Sequence, residues 1–373
     1  MGFPVNQPLI DGNELKYLTE CIETGWISSE GPFVKCFEDA MAKFVGRNEA
    51  VAVTSGTAAL QLAFDALQLS PGSEVILPSF TIVSCASALP GLGLTPVFVD
   101  CDPVTFNMRA EDVAAAINER TRAVLIAHIY GLPADLDPLL ALAAQHELKV
   151  IEDAAEAIGQ TYRGKQCGSF GDISIFSFYP NKHITTGEGG MVLADAPALI
   201  ERIRFMRNLS FDKERRYIHT ELGWNYRMTN MQAALGFAQF EKLPRNVELK
   251  RRIGRAYDEA LKDVEGISLP LPATDYAENI YWVYPLVLDD DFPADAATVM
   301  AALGEEGIGT RHFFYPLHRQ PALLKHYPQL ADISLPVSER IAQKGFYIPS
   351  GLGLDPVHIP TISQKIEDVL RKF

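Results

Sequence analysis

The sequence predicts an α/β fold on a mostly parallel sheet, with a smaller α+β unit after it. Three observations predict it. Between about residues 50 and 195, seven short runs rich in Val and Ile recur. Helix-like stretches separate several of them. After residue 195 the alternation stops and longer helical stretches take over.

The runs lie at 50–55, 74–78, 96–100, 122–129, 149–154, 172–178 and 190–195. They are apolar throughout rather than alternating, as strands buried on both faces of a parallel sheet are. The spacing predicts helices over 57–68, 110–118 and 135–146, where Ala and Leu recur at helical intervals. Strands alternating with helices give parallel crossovers, and ligands then bind at the carboxyl ends of the strands. Beyond residue 195, helices are expected over 198–208, 231–243 and 248–261, with a loop over 215–226 containing Gly223. Pro270 and Pro272 precede a strand at 282–288, a helix at 294–304 and a strand at 309–314. The expected division is a large domain over 1–245 and a small α+β domain over 246–373.

The composition narrows the function classes. The 373 residues are 47% hydrophobic and 21% charged, as in an ordinary globular protein. Lys and Arg total 33 against 47 Asp and Glu, so the net charge is 33 − 47 = −14. A broad nucleic-acid surface needs basic excess, so none is expected. Cys21, Cys36, Cys85, Cys101 and Cys167 are odd in number and none stands in a C-x-x-C pair, so neither disulfides nor zinc are expected. Free thiols fit a reducing compartment. The first residues lack the basic and apolar regions of a secretory signal, and Asn6 weakens a myristoylation reading of Gly2. No apolar run approaches the ~20 residues of a membrane span. A cytoplasmic protein without a membrane partner is the expectation.

Four segments could carry chemistry. In FSFYPNKHITTGEGG (176–190), Lys182 follows an apolar run and precedes closely spaced glycines. A lysine desolvated at a strand end can lose its proton and attack carbonyls, although a lysine taken alone is usually exposed. In EDAAEA (152–157), Asp153 ends a strand; it could hold a protonated ring nitrogen or simply cap a helix. Ser55-Gly56-Thr57 places backbone N–H groups and hydroxyls at a helix start, which suits a phosphate or an ordinary cap. Phe80, in PSFT (78–81), could stack on a flat ring or fill the core. All four fall at carboxyl ends of apolar runs. Together they offer what pyridoxal 5'-phosphate needs: a Schiff-base lysine, an acidic partner, a phosphate cradle and a stacking ring.

These motifs, with GWISSEGPFV (25–34), SGTAAL (55–60), GWNYRMTNMQAA (223–234) and RHFFYPLH (311–318), resemble the DegT/DnrJ/StrS family over essentially the whole chain. These are pyridoxal-phosphate-dependent nucleotide-sugar aminotransferases of fold type I. The likeness is strongest to their perosamine-synthase branch, which aminates C4 of a GDP-linked 4-keto-6-deoxy sugar. The resemblance implies an aspartate-aminotransferase-like α/β/α large domain with a seven-stranded sheet. It implies Lys182 as Schiff-base lysine and proton carrier, Asp153 at the pyridine nitrogen and Glu156 near the ring hydroxyl. It puts Phe80 on the ring, Gly56, Thr57 and Ser177 on the phosphate, and Asn225 on the phosphate of a neighbouring subunit. A homodimer with shared active sites follows. Trp26, Ser28, Ser29, Arg227, Tyr315 and His318 match segments lining the substrate cleft, and His183, next to the lysine, could contact the sugar; packing is the competing role for each.

The implied partners are L-glutamate as donor and a nucleotide sugar as acceptor, with no metal. Some relatives replace the lysine by His and become dehydratases; here Lys182 is present and His183 is only its neighbour. A dTDP- or UDP-linked 3- or 4-keto sugar is the alternative acceptor. A dehydratase on the same scaffold is the alternative reaction. A nicotinamide enzyme is disfavoured because TSGTAAL lacks G-x-G-x-x-G.

Overall fold

The seven apolar runs pair into one sheet in a computed structural model, which describes residues 2–212 and 214–373. Two helices come first, α1 (Glu14–Thr24) and α2 (Pro32–Val45). Then follow β1 (Glu49–Val53), α3 (Gly56–Ala66), β2 (Glu74–Pro78), the single turn α4 (Ser84–Ser87) and β3 (Thr95–Val99). Next are α5 (Ala110–Ala116), β4 (Thr121–Ala127), α6 (Leu136–Gln145) and β5 (Lys149–Asp153). A small hairpin, β6 (Thr161–Tyr162) and β7 (Lys165–Gln166), precedes β8 (Ile173–Ser177), β9 (Gly190–Ala194) and α7 (Pro197–Arg207). The helices α8 (Asn230–Phe240) and α9 (Leu243–Leu261) lead to β10 (Ile267–Ser268), β11 (Tyr284–Leu288), α10 (Ala296–Glu305) and β12 (Arg311–His312). The chain closes with α11 (Pro321–Leu324), α12 (Pro336–Lys344), β13 (Gly345–Ile348) and α13 (Ile359–Leu370).

The large sheet runs β1-β9-β8-β5-β4-β2-β3. The pairs β2–β3, β2–β4, β4–β5 and β5–β8 are parallel. Only β9 runs against its neighbours, β8 and β1. No helix lies between Ser177 and Gly190, so that link cannot make a crossover and returns antiparallel. Successive side chains of a strand point to opposite faces. Accordingly Val51 and Val53 pack with Leu60, Phe64 and Ile203 of α3 and α7, whereas Ala50 and Ala52 pack with Phe37 and Met41 of α2. Two apolar layers therefore sandwich the sheet, which is the α/β/α arrangement of fold type I.

A second, four-stranded sheet, β10-β11-β13-β12, is antiparallel. Its core joins Leu286 and Ile348 to Ile253 and Tyr257 of α9 and Ile362 and Ile366 of α13. The first residues of the chain pack here rather than on the large sheet. Phe3 pairs with both sides of Ile308, donating to Gly307 O at 2.8 Å and accepting from Gly309 N at 2.7 Å. Gln7 O accepts from Gly353 N at 2.8 Å, while Asn6 Nδ2 reaches back to Pro180 O at 3.1 Å. Among the described residues no helix is long and apolar enough to cross a membrane.

Candidate active site

A cavity of about 470 Å³ opens where β4, β5 and β8 end. Its floor comes from loops that follow those strands, and its far wall comes from the second sheet. Ser55 caps α3, its Oγ accepting from Ala58 N at 3.1 Å, and this turns Gly56 and Thr57 toward the cavity. The backbone here is close-packed. A Cβ on Gly56 would sit 2.9 Å from Ser177 Cβ, and one on Gly190 would sit 2.4 Å from Ser55 O. The turn thus leaves backbone N–H groups and the Ser177 and Thr57 hydroxyls at the start of an 11-residue helix, an arrangement that could hold a phosphate.

Asp153 ends β5 and is buried, with Oδ1 accepting from Ala155 N at 3.0 Å. Burial pushes its pKa up; the Ala155 N–H, Cys85 and the Lys182 charge oppose that shift. Glu156 is buried one turn on, accepts from Tyr130 N at 2.8 Å, and is pushed up to about 8 by burial. Lys182 sits in the link between β8 and β9, its backbone N–H bonded to Tyr179 O at 2.9 Å. Burial pushes its pKa down, and the charges of Glu156 and Asp153 push it back. Its Nζ lies 3.7 Å from the centroid of the Trp282 ring, and Trp282 Nε1 donates to Asn181 O at 2.9 Å. The indole therefore meets both the lysine amine and the Asn181 carbonyl that precedes it.

Lys182, Asp153, Glu156, Gly56, Thr57 and Ser177 thus line one cavity. The other expected residues lie elsewhere. Phe80 does not line it: the ring is fully buried, with centroids 5.7–6.1 Å from those of Phe106, Tyr130, Phe313 and Phe314. Its neighbours Thr81 and Ile82 hold that wall instead. His183 packs, with Nε2 3.2 Å from Ile280 O, and burial pulls its pKa down to about 3. His318 is buried between Ser79 Oγ, 2.7 Å from Nδ1, and Glu339 Oε1, 2.9 Å from Nε2, so it ties the two halves together. Tyr315 is exposed outside the cavity.

Trp26, Ser28 and Asn225 are exposed and Ser29 and Arg227 half-buried, all outside the cavity. Asn230 holds the first of these segments, donating from Nδ2 to Trp26 O at 2.7 Å and from its backbone to Ser28 O at 2.7 Å. Arg227 Nε donates to Asn225 Oδ1 at 2.9 Å. None of the five lines the cavity of its own chain.

Sequence reasoning missed Trp282, His128, His312 and Tyr347, all in the cavity wall, and put Arg311 only loosely nearby. Trp282 read simply as the first position of an expected strand, and Tyr347 lay outside every expected element. His128 carried a signal, since it stands in the 122–129 run, one residue past β4. Its Nε2 lies 3.0 Å from Glu152 Oε1, and its Nδ1 accepts from Ala134 N at 3.2 Å. Glu152 also accepts from Gly168 N and Phe170 N, so this buried pair, with Cys167 nearby, is fully engaged in protein bonds.

The donor set fits pyridoxal 5'-phosphate. The helix-start cradle is kept open by the two glycines. Opposite it stand a buried carboxylate with spare lone pairs and a lysine whose proton is loosened by burial.

Comparison with known proteins agrees. The DegT/DnrJ/EryC1/StrS aminotransferase family matches residues 8–367. The chain is 40% identical to a GDP-perosamine synthase of Caulobacter vibrioides over 98% of both chains. It is 39% identical to a GDP-perosamine synthase of Vibrio cholerae over 94% of both. The aminotransferase TlmJ of Streptoalloteichus hindustanus superimposes with a TM-score of 0.92 at 30% identity, over 99% of both chains. The chain belongs to the DegT/DnrJ/EryC1/StrS aminotransferases and is a pyridoxal-phosphate-dependent sugar aminotransferase.

Proposed function

We propose that the chain moves an amino group from L-glutamate to GDP-4-keto-6-deoxymannose, as a perosamine synthase does. The observation that carries this is the near full-length likeness to two GDP-perosamine synthases. In this reading Gly56, Thr57 and Ser177 hold the cofactor's phosphate, Asp153 its ring nitrogen and Glu156 its ring hydroxyl. The bound cofactor supplies an electron sink for the charge left when a substrate carbon loses a proton. Lys182 Nζ takes that proton and returns it, a task suited to an amine whose pKa burial has lowered. Arg311, in the cavity wall beside Tyr347, offers positive charge to the anionic groups of either substrate.

Two copies act together. Trp26, Ile27 and Trp224 are exposed large apolar side chains, and Asn225 is exposed next to Trp224; a second copy would cover these residues. Asn225 then reaches the phosphate of the partner's site, and Trp26, Ser28 and Ser29 border its mouth. Free cysteines, one of them exposed, fit work in the cytoplasm.

Purified protein with glutamate and a panel of GDP-, dTDP- and UDP-linked keto sugars tests the reading. The GDP-linked 4-keto-6-deoxy sugar should react best, releasing 2-oxoglutarate. A clear preference for another nucleotide would sink the perosamine assignment, and no transamination of any sugar would sink sugar amination altogether.

A further inference from the structure

Behind Asp153 lies a residue that the reaction as described does not use. Cys85, on α4, is fully buried, and its Sγ is 3.2 Å from Asp153 Oδ2. Thr81 Oγ1, four residues earlier, lies 3.5 Å from the same sulfur. Burial and the neighbouring carboxylate hold the thiol protonated, so it is the donor in this pair. The carboxylate thus receives one bond on each oxygen, from Ala155 N–H on Oδ1 and from Cys85 on Oδ2. The remaining lone pairs are free on the cavity side.

We propose that Cys85 is a positioning residue for the cofactor ring: its S–H donates to Asp153 Oδ2, fixing the carboxylate's orientation and keeping it ionised to receive the ring nitrogen. This rests on Asp153 holding that nitrogen. The charge balance around Asp153 gives the thiol its leverage. Lys182, from the β8–β9 link, and His128, at the end of β4, favour the ionised form, whereas Glu156 opposes it. Burial also disfavours the anion, and a hydrogen bond to a carboxylate recovers part of that loss. A thiol is a weak donor, so a hydroxyl at the same place can do the same work.

The test compares Cys85→Val, which keeps apolar volume without a donor, with Cys85→Ser, which keeps a donor. The readout is the affinity of each apoprotein for pyridoxal 5'-phosphate, followed by fluorescence across pH, with melting temperature recorded for each. Cys85→Val should bind roughly tenfold more weakly. Its affinity should also begin to fall at a higher pH on acidification, because Asp153 protonates sooner. Cys85→Ser should restore both. Wild-type affinity and pH profile in Cys85→Val overturn the proposal. So does equal impairment of both variants, which marks a packing role. Asp153→Asn, run beside them, separates the two ideas: wild-type affinity there removes the ring-nitrogen role itself. No sugar enters these measurements, so the acceptor's identity does not affect them.

Discussion

Lys182 works under opposed influences: burial strips its proton, two carboxylates retain it, and the Trp282 ring favours whichever form is charged. Replacing Lys182 by Ala removes the proton carrier, and 2-oxoglutarate release should fall by about 10³-fold or more. Normal turnover in that variant would sink its assigned role. His183, beside it, does something else. Its pKa drops from 6.5 to about 3 because burial excludes the charged ring. The unfolded chain takes a proton near pH 6.5 while the folded chain refuses it, so stability is lost as pH falls from there. Near pH 5 this should amount to about 2 kcal/mol. Melting curves of wild type and His183→Asn should therefore converge between neutral and acid pH; parallel curves would refute it. That Lys182 and Asp153 share one cavity was legible because both lie at the carboxyl ends of apolar runs, whereas Glu156 was reached only through the family resemblance. The places of Phe80, His318 and Trp282 were not. Each is set by partners distant in sequence: His318 by Ser79, 239 residues away, and Trp282 by Asn181, 101 residues away.

At the scale of elements, the seven strands were legible because both faces of each are buried, leaving no alternation to mislead. The reversed direction of β9 was not, since direction depends on the length of a link and not on strand composition. Helices α1, α2 and α13 lay outside the expected elements, although their apolar faces pack on α8 and α9. The start of α3 offers a direct test. Ser55→Ala removes the Oγ that accepts from Ala58 N, costing about 1 kcal/mol of stability. It should also weaken cofactor binding by loosening the phosphate turn. A thermal shift with unchanged cofactor affinity would separate the cap from the cradle.

The whole molecule carries the shared-site idea. If Asn225 serves the partner's cavity, Lys182→Ala and Asn225→Ala damage different halves of one composite site. Mixing the two weakly active proteins under subunit exchange should restore roughly a quarter of wild-type activity, through mixed pairs holding one intact site. Mixtures no better than the average of their parts would place Asn225 in its own chain's service.

One contact near residue 6 links the second sheet to the lysine loop. Residues 3–7 run along the second sheet, and Asn6 bonds Pro180, two residues before Lys182. That strip is a mechanical strut between the C-terminal layer and the loop bearing the lysine. Deleting residues 2–8 should lower turnover more than it lowers the melting point of the large sheet.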